Sequence, residues 1–217
     1  MSKMAVNAKV AAEKKDRSIP SYNREWYLQY WVDLTLDPDT AYSKLKLSEK
    51  NKKVELTDVT QTHDESLKRF RYVPQVLCKE GLTTGRSYWE IDWVGAKGAG
   101  IAVSYDTIRR DTAGDECRFG CNPQSWRFQD GVQRDFLYND WKTPISSYNN
   151  IIGVYLDVEA GTLQYYGVTP DREEMVLLYE APQFNAKDVP LYPGFWLCEG
   201  TKLTICPKQQ CKKSQRT

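Results

Sequence analysis

The stretch Gly85–Trp93, Gly-Arg-Ser-Tyr-Trp-Glu-Ile-Asp-Trp, constrains this chain more than any other. In an extended chain successive side chains point to opposite faces. Trp89, Ile91 and Trp93 therefore share one face, and Tyr88, Glu90 and Asp92 share the other. Two tryptophans and an isoleucine are a large apolar load for one strand face. Such a face needs a second layer over it, so the pattern predicts a sandwich built to cover this strand.

The rest of the chain supplies that layer. Short alternating or apolar runs occur at Leu45–Leu47, Val54–Leu56, Phe70–Cys78, Ile101–Tyr105, Phe119–Phe128, Ile151–Asp157, Leu163–Tyr166, Met175–Tyr179, Leu191–Leu197 and Leu203–Cys206. Turn residues separate them, Glu159-Ala160-Gly161 being a hairpin signal. Gln129–Tyr138 reads as a polar turn with Phe136 and Tyr138 embedded in it. Amphipathic helix is nearly absent. The spacing of Trp26, Tyr30 and Trp31 predicts one short helix that packs against the sandwich edge. The fold expected is all-β, a bent antiparallel two-sheet sandwich with that helix in front. Residues 1–20 are expected to form a flexible tail, 21–33 the helical lead-in, 34–207 the domain, and 208–217 a basic tail.

Chemistry is thinly signalled. Glu90 and Asp92 are two apart on one face, the spacing of a carboxylate pair, but a solvated strand face carries the same pattern. The single histidine, His63, lies in a polar stretch, with no Gly-x-Ser-x-Gly elbow to serve. Gly95, Gly98 and Gly100 precede a strand rather than a helix and lack the Gly-Lys-Ser/Thr ending of a phosphate loop. Of six cysteines only Cys117 and Cys121 approach metal-ligand spacing, half of a zinc set. No enzyme, metal or cofactor is expected. Thirty basic against 29 acidic residues leave a net charge of +1, without the excess of a nucleic-acid binder. No signal-peptide core and no membrane-spanning run is present, so a cytoplasmic location with free thiols is expected.

Three segments in order carry a resemblance. They are Leu36-Asp-Pro38 with Ala41 and Leu47-Ser-Glu49; Tyr72-Val-Pro-Gln-Val-Leu77 leading to Gly85–Trp93; and Gly153-Val-Tyr-Leu-Asp-Val-Glu-Ala-Gly-Thr-Leu163, followed by Pro190-Leu-Tyr-Pro-Gly-Phe195 and Leu203-Thr-Ile-Cys206. Over about 34–207 the chain resembles the PRY–SPRY (B30.2) domain, most closely fish versions in tripartite-motif proteins, nucleotide-binding leucine-rich immune receptors and stonustoxin-like toxins. The resemblance implies a non-catalytic module that recognises a partner protein through rim loops, in innate immune sensing or scaffolding. It assigns contact roles to Arg109, Arg110, Asp130, Arg134, Asp135, Phe136, Tyr138 and Glu199, and scaffold roles to Trp89, Trp93 and Trp126. Two alternatives accompany it. One is a recognition domain of a pore-forming toxin, the only case that implies a membrane. The other is a receptor for a small phosphorylated ligand, as in butyrophilins, with Arg69 and Arg71 as the nearest cationic pair.

Overall fold

A computed structural model describes residues 23–62, 64–146, 148–186 and 189–208; the tail expected over 1–20, His63 and nearly all of the basic tail lie outside them. Thirteen strands form two antiparallel sheets. The first sheet runs β1 (Leu45–Ser48), β2 (Lys53–Leu56), β13 (Lys202–Ile205), β4 (Arg86–Val94), β9 (Ile151–Asp157), β10 (Thr162–Val168) and β11 (Met175–Glu180). The second runs β3 (Gln75–Leu77), β12 (Leu191–Leu197), β5 (Gly98–Tyr105), β6 (Ser125–Gly131), β7 (Asp135–Tyr138) and β8 (Trp141–Pro144).

The inner faces meet as the alternation requires. Trp89, Ile91 and Trp93 of β4 interdigitate with Ile101 and Val103 of β5, Trp126 and Phe128 of β6, and Phe195 of β12. All three scaffold tryptophans are buried. Phe136 belongs to the same core: it pairs with Phe128 across the β6–β7 ladder and stacks on Tyr179 at 4.3 Å. The segment read as a polar turn is thus mostly strand. Its Phe and Tyr point inward because β7 alternates in step with β6.

The outer face of β4 departs from expectation. Tyr88 and Glu90 are as buried as the tryptophans, because the lead-in lies on the sheet face rather than at its edge. Helix α1 (Arg24–Leu28) starts on Asn23, whose side chain accepts from the Glu25 N–H at 2.5 Å. Tyr27 and Leu28 pack on Tyr88, Tyr155 and Tyr166. The chain then runs beside β4: the Tyr88 N–H donates to the Tyr30 carbonyl at 2.7 Å, and the Val32 N–H to the Tyr88 carbonyl at 2.9 Å. The lead-in so extends the row that β13 occupies against the other half of β4.

A buried ionic cluster fastens this layer. Arg24, fully buried, grips Glu90 with Nε at 2.5 Å and Nη2 at 3.1 Å. The Tyr88 hydroxyl donates to Glu90 at 2.8 Å. Arg172 donates to the same carboxylate and, through Nη2, to the Cys206 sulfur at 3.2 Å. Glu90 therefore anchors two guanidinium groups, and Asp92 lies half-buried two residues further along the same strand face.

Candidate partner-binding face

The strand directions sort the loops. β5 runs from Gly98 to Tyr105, and antiparallel pairing places 95–97, 132–134 and 198–201 at its Gly98 end. The loops 106–124 and 139–140 gather at its Tyr105 end. Eight residues at about 3.3 Å each separate the ends by roughly 23 Å. The eight residues expected to touch a partner are therefore divided. Asp130, Arg134, Asp135 and Glu199 sit at or near the Gly98 end; Arg109, Arg110 and Tyr138 sit at the other, and Phe136 lies in the core between them.

The Gly98 end is a rigid rim. Gly98 and Gly131 oppose each other so closely that a Cβ on Gly98 would lie 2.2 Å from the Asp130 carbonyl oxygen, and its φ of +107° is glycine territory. The Gly98 carbonyl accepts from the Cys198 N–H at 3.2 Å and the Thr201 hydroxyl at 3.1 Å, which pins the 198–201 loop. Asp130, buried, takes the Trp93 indole N–H at 3.1 Å and Arg134 at 2.7 Å, so it ties the two sheets together and cannot serve as a free contact. Lys97 pairs with Glu199 at 2.6 Å; each holds the other in its charged form, raising the lysine and lowering the glutamate from their ordinary values. At the same end Val94 and Val132 are 55% and 78% exposed. Val59, 68% exposed, follows β2, whose last N–H donates to the Thr201 carbonyl at 3.3 Å. Exposed β-branched residues from three segments, with the Lys97–Glu199 and Arg134–Asp130 pairs at the same end, are the residue types of a contact surface with apolar and polar parts.

The Tyr105 end is different. Arg110 is mostly structural: it pairs with Asp106, donates to the Lys68 carbonyl at 3.2 Å and lies over Phe70. Arg109 is exposed and pairs with Asp111 at 3.2 Å. Residues 65–71 and 106–111 line two open grooves here, of about 520 and 460 Å³, that share Leu67 and Arg71. Arg69 lines the first groove while its guanidinium donates to the carbonyls of Pro38, Ala41 and Asp64, and Arg71 lines both grooves. Tyr138 is half-buried and stacks on Trp126 at 5.4 Å. Its cross-strand neighbour Trp141, 65% exposed, escaped the sequence reading; the Asn139-Asp140 turn before it was the available signal.

Besides Asp130, two further expected contact residues are buried. Phe136 is core, and Asp135 is buried on the outer face of β7. The cysteine pair also separates: the Cys117 thiol donates to the Thr112 carbonyl at 2.9 Å, while Cys121 faces Asp115 and Asp140. Among the described residues no helix is long and apolar enough to cross a membrane.

Comparison with known proteins agrees with this architecture. Residues 34–82 match the SPRY-associated domain, PRY, and residues 86–210 match the SPRY domain. The chain is 40% identical over 144 residues to stonustoxin subunit beta of Synanceia horrida, covering 64% of this chain and 20% of that protein. It is 34% identical over 196 residues to tripartite motif-containing protein 14 of Mus musculus, covering 85% and 42%. The crystal structure of the TRIM65 PSpry domain superimposes with a TM-score of 0.74 at 27% identity, covering 85% of this chain and 96% of that one. The chain thus spans between a fifth and about two fifths of these two curated relatives.

Proposed function

The chain belongs to the PRY–SPRY (B30.2) family, and on that premise we propose that it is a non-catalytic protein-recognition module gripping its partner at the Gly98-end rim. The observation that carries this reading is the trio Val59, Val94 and Val132, exposed on a backbone too tightly braced to collapse over them. Arg134 and Glu199 border the trio and set orientation. Arg109 and Tyr138, at the far end, are too distant to share a small footprint with it.

We extend the reading to cytosolic innate immune sensing or scaffolding. Its support is the likeness to tripartite motif-containing proteins and the free thiols of Cys78, Cys117, Cys121, Cys198 and Cys206, which suit a reducing compartment. The 40% identity to stonustoxin subunit beta favours a second reading, as part of a larger toxin. Dye release from lipid vesicles by this protein at low concentration supports that one and sinks the inert module.

The rim is tested by quantitative capture from cell lysate. Val94→Asp with Val132→Asp is expected to lower capture of the bound protein at least tenfold while the melting temperature holds, since surface changes of this kind cost within about 0.5 kcal/mol. Arg109→Ala with Trp141→Ala, at the opposite end, is expected to capture as wild type does. The reverse pattern removes the rim from the function.

A further inference from the structure

Arg127 is out of place for a folded protein's interior. It sits in β6 between the core residues Trp126 and Phe128, so its side chain leaves through the outer face of the second sheet. It is only 8% exposed, yet among the described residues it has no hydrogen bond and no salt bridge; its Nε is sealed with no partner at all. Buried charges are normally paired. Here the guanidinium lies 5.0 Å from the centre of the Trp196 ring. Gly100 makes that posture possible, because a Cβ there would come within 2.7 Å of the Arg127 Cδ.

The neighbours do not neutralise it. Cys121 and Cys198 are held above the ordinary thiol range by burial, so both stay uncharged at neutral pH. Asp135, one row further along the same face, is pushed upward by its own burial. Its Oδ1 is likewise sealed without a hydrogen-bond partner, so it acts on Arg127 through space rather than as a bonded ion pair. Lys142, on β8 in the same cross-strand row as Arg127 and Leu137, adds a second cation, this one exposed. Burial is the largest influence on Arg127 and lowers its value, with only a partial offset from Cys121, Asp135 and Cys198.

We infer that Arg127, seated on Trp196, is a binding site for a carboxylate supplied by an acidic side chain of a partner protein. The class follows from shape and charge. A planar guanidinium with a tryptophan on one face offers an in-plane edge suited to a planar carboxylate. One guanidinium with a carboxyl group nearby suits a monoanion better than a dianion. The site lies on a sheet face, away from the valine rim, and stands or falls independently of it.

The test combines stability with titration. Arg127→Met, which keeps length and removes charge, is expected to raise the melting temperature by roughly 2–4 °C, because an unpaired buried cation burdens the fold. An acetylated, amidated pentaglutamate peptide is expected to shift the Arg127 Nε–Hε resonance of the wild-type protein and raise its melting temperature. Pentaglutamine is expected to do neither, and Arg127→Met to respond to neither peptide. A lower melting temperature for Arg127→Met would mean that the side chain is structural and overturns the site. So does an equal response to pentaglutamate in both proteins. A response to inorganic phosphate with none to pentaglutamate overturns the carboxylate assignment.

Discussion

Glu90→Gln is expected to destabilise the protein by about 3–5 kcal/mol, although the two side chains have nearly the same shape. Glutamine keeps the volume and can accept from Tyr88, but it carries no charge. Arg24 and Arg172 would then share a largely buried site with no negative charge between them. The cost of stranding buried charges exceeds the net worth of the pairs themselves, so the triple change Glu90→Leu, Arg24→Met, Arg172→Leu is expected to recover most of the loss. Urea denaturation measures both. A Glu90→Gln midpoint within about 1 kcal/mol of wild type would show that the cluster is incidental. Hydrogen exchange separates the layers: Arg24→Ala is expected to expose the amides of α1 and residues 30–32 while β5 and β9 stay protected.

Trp89→Ala is expected to cost about 3–5 kcal/mol, the range for emptying a large buried aromatic site. The loss corresponds to a fall of roughly 10 °C in melting temperature for a domain of this size. Trp89 is wholly buried between the sheets and cannot be replaced by solvent-side movement. The lead-in seals the opposite face of β4, so that strand has little freedom to collapse into the void. A well-folded Trp89→Ala protein with an unchanged melting temperature would falsify the scaffold role of this strand.

The two-residue period carried much of the fold into view. It assigned Trp89, Ile91 and Trp93 to one face, and the Trp126 and Phe195 runs to strands, because burial on one side only leaves that trace in sequence. It could not reveal that the other side of β4 is buried too. Glu90 and Tyr88 look like a solvated face, and the partners that cover them are Arg24, 66 positions away, and Arg172, 82 positions away. Phe136 was hidden for a related reason: the polar residues just before it belong to a turn and to the outer face of β7, and its inward aim depends on register with Phe128. Which loops share an end is a property of strand direction, so Arg109 and Glu199 read as one site in sequence and lie at opposite ends of β5. Arg127 alternates outward as any surface arginine would; only the packing of Trp196 across two ladders makes it a buried one.

The attachment of α1 also has a mechanical meaning. A pull applied at Asn23 does not load the ladders of the sandwich directly. It is borne first by the Arg24–Glu90 grip and then, one after another, by the two main-chain bonds that hold residues 30–32 against β4. These yield in sequence, like a zip, whereas the ladders behind them share load side by side. Tension from anything joined ahead of residue 23 would peel the lead-in away and bare the tyrosine face of the first sheet while the sandwich kept its shape.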